Sequence, residues 1–218
     1  MDYLETLARL ERYEAPPAWI YGVNMFDDVK QKHISEICRR EVERQNALIA
    51  QANAYLERNS RYKSILHTEG DELVEVVIEM LEWLLGRSSD KDVEAGFKIK
   101  LEDVTFIGKI TGTDMDVKTQ HILSVINDRE EYIGELKEQG EKENVKGLLI
   151  INHQRSKAPQ EREIIDDYQI DLAKRNEQLI IETPTLLKLF ERYINGEVKR
   201  DECRALFRDK VGVLELDE

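Results

Sequence analysis

Apolar positions recur along this chain with two different periods, and the change of period marks its elements. From about Asp28 to Ser60 the sequence is polar and free of Gly and Pro. Ile34, Cys38, Val42, Ile49 and Leu56, with Gln45 among them, recur there at helical spacing. They form a narrow stripe on a long helix, which packing against the main domain or against a partner's copy would cover equally well. Gly70 breaks the pattern. A second helix follows from about Asp71 to Leu85, with Leu73, Val76, Val77, Met80, Leu81 and Leu84 as its apolar face and Gly86 as its stop. Three short strands are predicted next, at 97–99, 104–107 and 115–119, with turn chemistry from Gly108-Lys109 and Gly112 between the second and third. Residues 120–139 read as a charged amphipathic helix ended by Gly140. Val145 to Asn152 contains the run Leu148-Leu149-Ile150-Ile151, apolar on both faces, which predicts a central strand covered from both sides. A helix near 163–175, a strand at 178–181 and a helix from Pro184, N-capped by Thr183, complete the order.

Composition narrows the picture. At 218 residues with 41% hydrophobic content, the chain holds one α/β core plus an extension. We read residues 1–61 as an N-terminal lead and long helix for dimerisation or packing, and 62–218 as the core domain. The net charge of −13 argues against coating nucleic acid by bulk electrostatics. Cys38 and Cys203 are too few and too far apart for a disulfide framework or a zinc site, and reduced thiols point to a cytoplasmic setting. No apolar run approaches the roughly 20 residues of a membrane span. The Met1–Glu5 stretch lacks a basic leader and signal-peptide core.

Two clusters carry candidate chemistry, Glu102-Asp103 and Asp116-Val117-Lys118. Read as a strand, the second puts Asp116 and Lys118 on one face and Val117 on the other. Two carboxylates and an amine at one sheet edge can hold a divalent cation and polarise a phosphodiester. Asp103 and Asp116 are then the expected metal ligands, with Asp114 in reserve, and Lys118 reaches the attacking water or the developing charge. His153 and Arg155 follow the buried strand, where loops of an α/β sheet carry function. Arg155 or Arg162 can contact phosphate and His153 can assist proton transfer. The bland alternative is an ordinary strand-end His and an Arg paired to a surface acid. Trp19 and Trp83 read as packing residues. Lys and Arg side chains on the long helix are interspersed with Glu36, Glu41, Glu43 and Glu57, as on a solvated helix.

With these clusters, residues 62–195 resemble the PD-(D/E)XK, or restriction-endonuclease-like, nuclease superfamily. Its core order is α-β-β-β-α-β, with an acid on the second strand and Asp/Glu-x-Lys on the third. The chain is also similar to bacterial nuclease-like proteins through Gly70-Asp71-Glu72-Leu73, Glu102-Asp103, Asn152-His153-Gln154-Arg155 and Pro159-Gln160-Glu161-Arg162. The position after Leu73, often Glu in such proteins, is Val74, so a helix carboxylate has to come from Glu72 or Glu69, of which we take Glu72. The resemblance implies a central mixed sheet flanked by helices and Mg²⁺- or Mn²⁺-dependent hydrolysis of DNA, in defence or DNA processing. The competing expectation is an inert module on the same fold that binds protein or nucleic acid.

Overall fold

The computed structural model describes residues 16–93 and 96–217, with the backbone alone at 91–93. The expected N-terminal lead therefore lies outside the described residues up to position 15. By packing, the chain divides into two units, Met1–Leu56 and Glu57–Glu218. In the first, a 3-10 turn at Ala18–Gly22 precedes helix α1, Asp28–Lys63, which continues past the division. None of the residues of α1 is buried. Its stripe is open to solvent, with Val42 and Ile49 each 57% exposed. Trp19, expected to pack, is 69% exposed.

The second unit is a three-layer α/β/α sandwich. Its elements are α2 (Gly70–Leu85), β1 (Asp90–Val93), β2 (Gly96–Lys100), β3 (Thr105–Gly112), α3 (Thr119–Glu138), β4 (Val145–Asn152), α4 (Asp167–Arg175), β5 (Leu179–Glu182), α5 (Thr183–Ile194), α6 (Arg200–Asp209) and β6 (Gly212–Val213). The six strands lie in sequence order, β1 to β3 antiparallel and β3 to β6 parallel. Strand β4 explains the layering. Leu148 and Ile150 join the core under α2, α5 and α6, whereas Leu149 and Ile151 join Ile122, Val125 and Ala173 under α3 and α4. Helix α2 buries eight apolar residues and stops at Gly86, whose positive φ of 65° suits a residue without Cβ.

The structure moves the third strand. Gly108-Lys109, expected as a turn, lies in the middle of β3, which pairs with β4 over its full length from Thr105↔Val145 to Gly112↔Asn152. Glycine is required there because a Cβ at 108 would come within 2.4 Å of the Phe97 ring and 2.5 Å of the Leu148 carbonyl. Of residues 115–119, expected as a strand, 115–118 form an irregular connection and Thr119 opens α3. The extra strand is β1, and α6 and β6 were not foreseen. Trp83, also expected to pack, is 51% exposed. It lines a cleft with Tyr62, Leu187 and Phe190.

Lys146 is the unusual member of β4. It is buried, and its ammonium donates to the carbonyls of Phe207 at 2.9 Å and Arg208 at 2.7 Å, and to that of Lys210. These carbonyls end α6, where a cation is favoured by the unsatisfied acceptors and the helix dipole. Burial nevertheless pulls the amine down to about 8.

Candidate functional site at the carboxyl edge of the parallel strands

Open α/β sheets place ligands outside the carboxyl ends of their parallel strands, and most of the expected residues gather there. Strand β3 ends at Gly112 against the loop before α2. A Cβ on Gly112 would sit 2.7 Å from Glu69 Cβ and 2.9 Å from the Thr68 carbonyl, so glycine allows the two backbones to close up. Beyond it, Arg155 Nη2 bridges two carboxylates, Asp114 Oδ2 at 2.9 Å and Glu69 Oε1 at 3.0 Å. Its Nη1 donates to the His67 carbonyl at 3.3 Å.

The motif after β4 is a clamp. Asn152, fully buried, donates to the Thr68 carbonyl at 2.9 Å and accepts from Arg162 Nη1 at 2.8 Å and Thr183 Oγ1 at 2.9 Å. Arg162 also donates to the Leu66 carbonyl at 2.5 Å. The Pro159–Glu161 turn delivers it to that position. Burial holds its guanidinium below the ordinary arginine range, partly offset by the charge of Glu182. Expected as a phosphate contact, Arg162 is committed instead to three protein acceptors, Lys157 O being the third. His153 is buried beside Glu182, with Nε2 and Oε1 2.6 Å apart and Nδ1 without a partner. Gln154, at φ 47°, donates to Asp116 Oδ1 at 2.5 Å and accepts from the Glu163 amide at 2.8 Å. A cleft of about 300 Å³ lies between Asp116, His153 and residues 163–167.

Asp116 and Lys118 are exposed and Val117 between them is buried in the core under α3, so both polar side chains stand on the solvent side. Lys118 is the residue before α3, and its amide donates to His121 Nδ1 at 3.1 Å. Glu72 lies exposed in the first turn of α2, three residues past Glu69.

Asp103 is elsewhere. It precedes β3, where Arg208 of α6 holds it at 3.1 Å in a cleft also lined by Arg87 and Arg204. Asp116 follows the strand's other end, and the seven steps from Thr105 to Gly112 at about 3.3 Å each put roughly 23 Å between those two ends. Asp103 and Asp116 therefore do not fit one metal ion as a pair. Among the described residues of β2 and β3 there is no Asp or Glu. Among the described residues generally, no three His, Cys, Asp or Glu side chains are placed to hold a metal. Glu69 and Asp114 both reach Arg155 Nη2, so the guanidinium stands between them. The partners that sequence reasoning missed, Asn152 as the clamp, Gln154 and Glu182, were visible only as neighbours within quoted motifs or as a strand-end acid.

No family model and no curated protein matches the sequence. Among solved structures, the chain is similar to restriction endonuclease FokI, with a TM-score of 0.50 and 13% sequence identity over 70% of this chain. The match spans 30% of the FokI chain. The fold is therefore restriction-endonuclease-like: a mixed sheet flanked by helices, with an N-terminal helical region. Among the described residues no helix is long and apolar enough to cross a membrane.

Proposed function

We propose that this chain is a non-hydrolytic recognition module built on the restriction-endonuclease-like fold, with a protein as its partner. One observation carries the reading. The carboxylates expected to share a metal stand at opposite ends of β3, and the described parts of β2 and β3 supply no replacement. Of the other acids at the carboxyl edge, Glu69 and Asp114 are engaged by Arg155, Asp116 by Gln154, and Glu182 lies beside His153. The charge of −13 disfavours a nucleic-acid backbone as partner, and the open stripe of α1 offers an apolar surface to a protein.

A second reading, Mg²⁺- or Mn²⁺-dependent hydrolysis of DNA in defence or DNA processing, draws on the fold likeness and on Asp114, Asp116 and Lys118 within five residues at the carboxyl edge. Incubation of the protein with plasmid, linear and single-stranded DNA and with RNA, in Mg²⁺ or Mn²⁺, separates the two. The recognition module leaves every substrate as intact as Asp116→Ala and Lys118→Ala variants do. Cleavage by the wild type that either substitution abolishes would establish the nuclease.

A further inference from the structure

The exposed stripe of α1 has a register that selects its own occupant. Read in heptads, Ser35, Val42, Ile49 and Leu56 fall at one core position (a) and Cys38, Gln45 and Ala52 at the other (d), with Ile34 and Leu48 flanking. Val42, Ile49 and Leu56 are 57%, 57% and 63% exposed, so the a positions of three successive heptads are open. We infer that α1 pairs with α1 of a second copy of this chain as a parallel, in-register two-stranded coiled coil.

The polar core position decides the orientation. In an antiparallel pair a faces d, so registers that set Gln45 against Val42, Ile49 or Leu56 leave its amide without a partner, and the one that sets it against Ser35 leaves Leu56 beyond the start of the other helix. In the parallel, in-register pair, Gln45 meets only Gln45 of the second copy, and the two amides can bond to each other. The flanking contacts carry no like-charge clash, because Ile34 comes opposite Arg39, Glu41 opposite Asn46 and Leu48 opposite Asn53. Area suffices as well. Residues 34–56, the span of the seam, form a helix roughly 34 Å long and ~10 Å across, and half of that surface on each copy gives about 1,100 Å² in total, above the ~1,000 Å² that a specific interface needs. This pairing names the protein partner of the proposed reading as a second copy of this chain, and it is independent of whether the sheet edge hydrolyses anything.

Cys38 reports the register. At a d position it faces Cys38 of the second copy, whereas the antiparallel registers that keep Leu56 in the seam carry the two thiols eleven or more residues apart. Cys203 does not compete, being buried, with burial pushing its thiol up to about 11. The test is sedimentation equilibrium of the full chain, followed by treatment with oxidised glutathione. One Cys38 thiolate attacks the reagent and releases one glutathione. The second Cys38 thiolate then displaces the other, so the two-electron oxidation of the cysteines is balanced by two glutathione thiols. The expected result is twice the chain mass and a covalent dimer on non-reducing gels that Cys38→Ser abolishes while the mass stays doubled. Val42→Asp and Ile49→Asp, on an uncovered face, each return the mass to that of one chain with unchanged helical content. A single-chain mass for the wild type overturns the pairing. A dimer that forms no Cys38 disulfide overturns the parallel register, and a doubled mass in both Asp variants overturns the seam.

Discussion

Arg208 reaches across from α6 to hold Asp103 at 3.1 Å, at the opposite end of β3 from Asp116. Asp103 thereby belongs to a surface ion pair that ties α6 to the β2–β3 connection. Both side chains are about half exposed, so the pair contributes little. Asp103→Ala is expected to leave the urea midpoint within error of the wild type, and to leave pairing through α1 unchanged.

Asn152 is the opposite case. It is fully buried and serves Thr68, Arg162 and Thr183 at once. Asn152→Ala strands a buried carbonyl, a guanidinium nitrogen and a hydroxyl together. The expected cost is about 3 kcal/mol in equilibrium unfolding. Faster amide exchange at residues 66–69 would accompany it, since the loop loses its central tether.

Lys146 makes stability depend on alkaline pH. Its folded value is about 8 against an ordinary 10.5. Between those values the unfolded chain holds the proton and the folded chain has released it, so folding stability rises as pH rises from about 8 towards 10.5. Lys146→Met should remove that slope from urea midpoints measured at steps across the window.

His121 acts at the acid side. Burial, aided by the charge of Lys118, holds its imidazole below the ordinary 6.5, and its Nδ1 accepts the Lys118 amide at the start of α3. The unfolded chain binds this proton first as pH falls, so stability present above about 6.5 is lost as pH drops towards the folded value. Thermal unfolding of His121→Leu is expected to show a flatter acid limb than the wild type.

Much of the core was legible because its patterns are physically unambiguous. Strand β4 is apolar on both faces, which few elements other than a central strand tolerate, and it spans Val145–Asn152 as expected. Helix α2 was equally plain from its spacing and Gly86. The third strand misled for a local reason. Val117 is buried beneath α3 between exposed Asp116 and Lys118, and that alternation mimics a strand that pairs with nothing. Meanwhile Gly108, read as a turn, is a spacer between Phe97 and Leu148, a role that exists only once three strands are assembled. β1, with the sequence Asp90-Lys91-Asp92-Val93, offers almost no apolar signal. At the site, the positions Asn152, Arg155 and Arg162 stood out in the sequence, but their tasks depend on backbone carbonyls of residues 66–68 that no side-chain pattern encodes.

The Lys146 anchor also sets where this domain can be cut. Its three acceptors lie 61 to 64 residues further along. A shortened chain ending before Phe207 would keep every strand from β1 to β5 yet leave an ammonium facing vacated space inside the parallel sheet. A cut there also removes Phe207 and Leu214 from the core, so Lys146 and these side chains together set the lower limit on the carboxyl side.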